Sequence, residues 1–327
     1  MNNLSNICKS AVTAILLGTN ISGCAHYKLD KAYSGPAPLP QVIKQEFSYK
    51  KFKGPYEEKI KSKKNKYTLK HIEFHPSHNP TSIKHNIHID YYDVDNQEKS
   101  PIIVVLPIFG GNNLVSNTFA KYFAKKGYSS MVVHRQKKYR DIGDINLLDQ
   151  YLKQIVFDHK QAIDWIELQK DIDLEKIGLF GISFGGIKTA IIAPLEDRIK
   201  ASVICLSAGD LPYIITNSSE RGIKKRRSKV MKSENLTLNE FHEKLKEVVT
   251  CDPINYAEYL DANSTMMVLA RFDKAVPYKK GKELKEKIGN PKTIILPIGH
   301  YSSILYLPYI QHAALEFFQE RFEEKID

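Results

Sequence analysis

No apolar run in the 327 residues approaches the ~20 that a membrane-spanning helix needs, which excludes a helical membrane bundle and predicts a soluble body. Zinc-ligand spacings, an RNP-like aromatic pattern and a phosphate-cradling P-loop are all missing. The formal charge of +11 therefore reads as a surface property and not as a nucleic-acid footprint. The eleven histidines show no paired spacing such as H-E-x-x-H, so no metal is expected. Internal repeats and low-complexity tracts are also missing. Cysteine is scarce, at four residues: Cys8 near the start, Cys24, Cys205 in an apolar run and Cys251 in a polar segment. Spacing along the chain does not say whether Cys205 and Cys251 come within disulfide range, so a pair and two free thiols both stay open, the free thiols preferred. What is present is globular: 42% apolar residues with 10% aromatics, in a length that holds one large α/β domain with an insertion or two small domains.

Residues 1–23 have the layout of an export signal, with a polar start carrying Lys9, an apolar stretch from Ala11 to Gly18, and Ile21-Ser22-Gly23 before Cys24. The Ile-Ser-Gly-Cys run resembles the bacterial lipobox. That resemblance implies that Cys24 is diacylated, becomes the first residue of the mature chain and anchors it to the cell envelope. Ala25 in place of Asp implies, for a Gram-negative cell, the outer membrane facing the periplasm. Residues 24–66 are expected to form a proline-containing tether followed by a charged surface segment, with the folded domain spanning 67–327.

Within that domain eight short β-rich runs are predicted, at 67–75, 85–94, 101–107, 129–134, 176–182, 200–206, 265–271 and 292–297. The first two alternate apolar with polar, as half-exposed antiparallel strands do, whereas the later ones are continuously apolar, as strands covered on both faces are. Segments of helical spacing fall between the later runs, at 115–126, 147–169, 185–195, 279–287 and 310–322. This alternation predicts a mostly parallel sheet of about eight strands flanked by helices. Residues 207–262 exceed an ordinary connection and are largely polar with helix-forming stretches. They predict a helical cap over the carboxyl edge of the sheet, where open α/β sheets bind ligands.

The segment GLFGISFGG, residues 178–186, runs from a predicted strand through a sharp turn into a helix. Gly181 and Gly185 flank Ser183 where a Cβ would obstruct the approach of strand and helix, and the helix start offers amides and partial positive charge to a developing oxyanion. A serine hydroxyl needs a base, and His300, in the loop after the last strand, lies on the same sheet edge. The imidazole needs an acceptor: Asp273 follows the strand at 265–271, and Asp210 follows the strand at 200–206. Both remain candidates, with Asp273 preferred.

These residues, with the glycine-containing loop 107–113, resemble the α/β-hydrolase superfamily over roughly residues 67–323. Within it they are similar to compact serine esterases and dienelactone-hydrolase-like members, with features shared by acetyl-esterase and prolyl-oligopeptidase relatives. The resemblance implies an α/β-hydrolase fold, the catalytic order Ser183, Asp273, His300, and an oxyanion hole from the backbone amides of Phe184 and Phe109. The histidine-glycine pair frequent in that loop among relatives is replaced by Ile108-Phe109. The expected reaction is hydrolysis of a small-molecule or lipid ester through an acyl-enzyme, without a cofactor. An acyltransferase or thioesterase using the same triad, or a catalytically silent binding protein of the envelope, are the alternatives.

Overall fold

The computed structural model describes residues 23–81, 83–96, 98–110, 113–136 and 144–323. The export-signal reading, up to residue 22, lies outside them. In chain order the elements are β1 (Ala25–Tyr27), α1 (Gln41–Glu46), β2 (Glu57–Lys63), β3 (Thr68–Phe74), β4 (Ile87–Asp93), β5 (Ser100–Leu106), α2 (Leu114–Lys125), β6 (Ser129–Val133), α3 (Leu148–Ile166) and β7 (Ile172–Ile182). There follow α4 (Phe184–Ile192), β8 (Ile199–Cys205), α5 (Leu211–Asn217), α6 (Arg221–Ser233), α7 (Leu238–Val248), α8 (Pro253–Tyr256), β9 (Thr265–Ala270), α9 (Tyr278–Ile288), β10 (Lys292–Leu296) and α10 (Leu307–Glu323).

All the strands join one sheet in the order β1-β10-β9-β8-β7-β5-β6-β4-β3-β2. Neighbours from β10 across to β6 are parallel; β1 and the β4-β3-β2 meander attach antiparallel. The parallel strands are buried on both faces, as β9 is at every position, which is why they read as continuous apolar runs. Helices α3 and α4 cover one face through Val156, Phe157, Ile187 and Ile191, and α2 and α10 cover the other through Phe119, Phe123, Phe317 and Phe318. Close contact fixes one of these layers: a Cβ at Gly178 of β7 would stand 2.6 Å from the Phe318 ring.

Strand order reverses at β5, which has β6 on one side and β7 on the other. The carboxyl ends of β5 and β7 therefore flank the crevice where a doubly wound sheet receives its ligand. The loop after β5 and the turn after β7 both open there.

Two expectations need correction. Among the described residues the sheet adds β1 and β2 to the eight strands expected, and both lie in the segment read as tether and charged surface. β2 is EEKIKSK, whose one apolar residue, Ile60, is itself exposed, so no alternation marks it as a strand. The folded body also begins before residue 67. Phe47 and Phe52 are buried in the core against α3, and the Asp164 carboxylate accepts from the Phe52 amide at 2.9 Å and the Tyr49 hydroxyl at 2.8 Å. Two aromatic anchors in a run of lysines suffice to bind this segment, and a pattern search over ten residues passes over them. Cys205 and Cys251 are both buried free thiols. Among the described residues no helix is long and apolar enough to cross a membrane.

Candidate active site

Ser183 stands between the last residue of β7 and the first of α4, at φ 57° and ψ −123°. A non-glycine residue rarely adopts that backbone, and the turn persists because its neighbours determine it. Its amide donates to the Cys205 carbonyl at 2.9 Å. A Cβ on Gly181 would fall 2.2 Å from the Gly185 carbonyl oxygen, and one on Gly185 would fall 2.1 Å from the carbonyl oxygen of Leu106 in β5. Both glycines are thus demanded by close packing of the turn onto its own helix and onto β5.

The loop after β10 brings His300 over this turn, at the head of a 3-10 turn, Tyr301–Tyr306. Its Nε2 lies 2.9 Å from Ser183 Oγ, and its Nδ1 lies 2.6 Å from Asp273 Oδ2. Asp273 follows β9 and is almost wholly buried, with its other oxygen accepting from the amides of Ala275 at 2.9 Å and Val276 at 2.8 Å. Both carboxylate oxygens are engaged, and these three hydrogen bonds fix the orientation of the group. The rival acid, Asp210, is engaged elsewhere: it caps α5 through the Tyr213 amide at 3.0 Å and pairs with Lys280 at 2.8 Å. Ser183, His300 and Asp273 are therefore the three residues that the fold connects.

Phe109 and Phe184 meet edge to face, with ring centroids 5.5 Å apart, beside Ser183. Arg135, following β6, donates to the carbonyls of Ile108 at 2.8 Å and of Phe109. Because a trans peptide sets N–H opposite C=O, holding the Ile108 carbonyl fixes the direction of the Phe109 amide. Residues 111 and 112 of this loop lie outside the described residues.

Ser183 and His300 open on a cavity of about 200 Å³. Its floor comes from Ile145, Leu152 and Ile187, and its roof from Ile214, Val230 and Phe241 of α5, α6 and α7, inside the 207–262 insertion. Helix α6 divides cleanly. Ile223, Arg226, Arg227 and Val230 line the cavity, while Arg221, Lys224, Lys225, Lys229 and Lys232 point outward to solvent. At the rim stands Tyr301, whose ring meets that of His300 edge to face with centroids 5.5 Å apart.

Several residues near the site carry no signal in the sequence. Arg135 is one. Lys188, on α4, is buried with its ammonium 5.5 Å above the Phe184 ring, and burial together with the charge of Arg135 drives its pKa well below the usual lysine value. A second group, away from this site, gathers across strands: His71, Glu73 and His88, and His71, Asp90 and His134, bring ligand-type atoms within 4.8 Å of one another. Spacing along the chain cannot reveal such a cluster. Lys61 pairs with Asp90 at 2.6 Å and so already supplies a cation there; Asp90, despite burial, is held well below the usual carboxylate range by His134 and Lys61.

Residues 44–228, more than half of the chain, match the X-Pro dipeptidyl-peptidase (S15) family. The chain belongs to the S15 family. Among curated proteins, this S15 member is 29% identical over 127 residues to an uncharacterized 31.7 kDa protein in the traX-finO intergenic region of Escherichia coli; the match covers 38% of this chain and 44% of that protein. The chain thus spans less than half the length of the curated relative it matches. Similar solved structures include the acetyl xylan esterase from Paenibacillus sp. R4, with a TM-score of 0.65 at 14% identity over 86% of this chain and all of that one. Acetyl xylan esterase 1 from Thermoanaerobacterium sp. JW/SL YS485 gives 0.58 at 16% identity over 88% and 99%. The Pyrococcus horikoshii acylaminoacyl peptidase gives 0.57 at 17% identity over 80% and 43%. At these identities the likeness is one of fold, and the fold of this S15 member is that of the α/β-hydrolases.

Proposed function

We propose that the protein hydrolyses carboxylic esters through an acyl-enzyme on Ser183. The observation that carries this reading is the unbroken pair of hydrogen bonds from Ser183 to His300 to Asp273, opening on an apolar cavity. Ser183 Oγ attacks the ester carbonyl while His300 Nε2 takes its proton, and Asp273 holds the other ring nitrogen and stabilises the imidazolium. The amides of Phe184 and Phe109 receive the oxyanion, and the acyl group enters the cavity. His300 returns the proton to the leaving alcohol; water then attacks the acyl-enzyme by the same relay. A fluorophosphonate probe should label the wild type and not Ser183→Ala. Esterase activity retained by Ser183→Ala would refute the reading.

The S15 match favours a second reading, release of an X-Pro dipeptide from a peptide N-terminus. That reaction must recognise a free ammonium group. Among the described residues the acidic side chains lining the cavity are Asp144 and Glu220, which accept from the amides of Asn146 and Ile223, and the remaining described wall is mostly aliphatic. An apolar acyl group suits such a wall better. Comparing p-nitrophenyl butyrate with Gly-Pro-p-nitroanilide separates the two, and a competing alcohol among the acceptors separates hydrolysis from acyl transfer. We also propose that Cys24 carries the lipid anchor; palmitate labelling should disappear in Cys24→Ala.

A further inference from the structure

The surface beside His300, at the edge of the cavity, carries several exposed apolar side chains. Phe272, Tyr301, Ile304 and Leu305 are large apolar side chains exposed to 62%, 65%, 62% and 71%. They form one group: three belong to the 3-10 turn that follows His300, and the Phe272 amide donates to the Ile298 carbonyl two residues before it, at 2.9 Å. Scattered exposed apolar residues are ordinary, but a contiguous set beside a catalytic histidine marks a surface that meets something apolar. Beside it begins α6, whose outward stripe of Arg221, Lys224, Lys225, Lys229 and Lys232 suits anionic headgroups.

The position of Cys24 points to what covers this surface. Ala25 pairs with Ile295, so Cys24 emerges at the carboxyl end of β10, the same sheet edge as Ser183 and His300. Gly23 lies against Pro297, and Cys24 packs on the same apolar core as Ile298, Tyr306 and Tyr309. A lipid on Cys24 would enter the bilayer beside Ile304 and Leu305, with no slack between anchor and sheet.

We propose that the carboxyl edge of the sheet lies against an anionic lipid bilayer, with Phe272, Tyr301, Ile304 and Leu305 in the acyl-headgroup boundary and the outer face of α6 on the headgroups, so that the cavity receives ester-linked acyl chains from membrane lipids. The substrate class rests on the ester-hydrolase reading above; the docking does not. In the reaction the lipid's acyl carbon bonds to Ser183 Oγ, and the ester oxygen leaves with the proton that His300 took. Water then restores the serine and releases a fatty acid.

The chain has one tryptophan, Trp165, which is fully buried, so an added tryptophan reports on its own site. Full-length Leu305→Trp, and Lys170→Trp at the opposite sheet edge, are mixed with vesicles of phosphatidylethanolamine and phosphatidylglycerol carrying brominated acyl chains. Docking requires that Leu305→Trp lose most of its added emission and that Lys170→Trp keep it. If Leu305→Trp stays bright, or both dim alike, the docking surface is wrong and a protein partner becomes the better occupant of the rim. In the second arm, Ile304→Ser/Leu305→Ser should hydrolyse a fluorogenic ester embedded in the vesicles about tenfold more slowly while dissolved p-nitrophenyl acetate is cleaved at the wild-type rate. An equal loss on both substrates, or on neither, overturns the proposal. Quenching at position 305 in a chain that cleaves no ester would uphold the docking and refute the hydrolase reading.

Discussion

Replacing Asp273 by asparagine isolates one proton. In the native site Asp273 Oδ2 accepts from His300 Nδ1 while Oδ1 accepts from two backbone amides, those of Ala275 and Val276. An asparagine oxygen can keep the two amide bonds, which leaves its NH2 facing His300. The imidazole must then accept at Nδ1 and carry its proton on Nε2, pointing at Ser183, where it can no longer take one. In a serine protease the equivalent change lowers kcat about 10⁴-fold, equivalent to about 5 kcal/mol of barrier, and a similar loss is expected here. Stability should hardly change, because both amides stay paired. Asp273→Ala, in contrast, orphans two buried amides at about 1–3 kcal/mol each. Stopped-flow hydrolysis of a p-nitrophenyl ester with parallel thermal melts distinguishes the two variants. An Asp273→Asn enzyme within about tenfold of wild type would refute the tautomer argument and with it the role of Asp273.

Gly185→Ala puts a Cβ 2.1 Å from the Leu106 carbonyl oxygen and should cost about 1–3 kcal/mol in urea unfolding while displacing Ser183 enough to impair turnover; an alanine variant with wild-type stability would show that the turn can retreat. Val230→Trp narrows the cavity beneath α6 and should lower octanoyl-ester hydrolysis relative to acetyl by about tenfold or more, read as a kcat/KM ratio. His159 is buried, and burial, then the charge of Lys188, lowers its pKa to about 3. The unfolded chain binds that proton below about 6.5 and the native protein does not, so stability should fall as pH drops from about 6.5 towards 3, by up to ~1.4 kcal/mol per pH unit. His159→Gln should flatten that slope in urea melts run across this range, and an unchanged slope would assign the acid sensitivity elsewhere.

Legibility followed the physics of each element. The turn around Ser183 could be read because two backbones approach within contact of Gly181 and Gly185, and only glycine fits there. The parallel strands could be read because burial on both faces leaves nearly pure apolar runs. Strand β2 could not, since its side chains face water and backbone pairing alone defines it. The choice between Asp273 and Asp210 was open in the sequence because both follow strands on the correct edge; what separates them is that Asp210 is occupied by the start of α5 and by Lys280. Arg135 and the histidine cluster depend on which strands become neighbours. The cavity depends on how α5, α6 and α7 fold back over the sheet, and α6 and α7 are mostly polar in sequence because their outer faces meet solvent.

The two ends of the sheet differ in how they avoid self-association. An open strand offers a row of unpaired N–H and C=O groups to any other chain. At one end, five of the seven residues of β2 are charged, three of them lysines, and charged side chains along an open edge disfavour pairing with another chain. At the other end the strand behind is β10, apolar and mostly buried, and only the three residues of β1 cover it. A chain shortened to begin at Lys28 would retain Ser183, His300 and Asp273 and lose that cover. It should pair edge to edge through β10, into dimers or larger aggregates, so the three residues of β1 protect the sheet from other copies of itself.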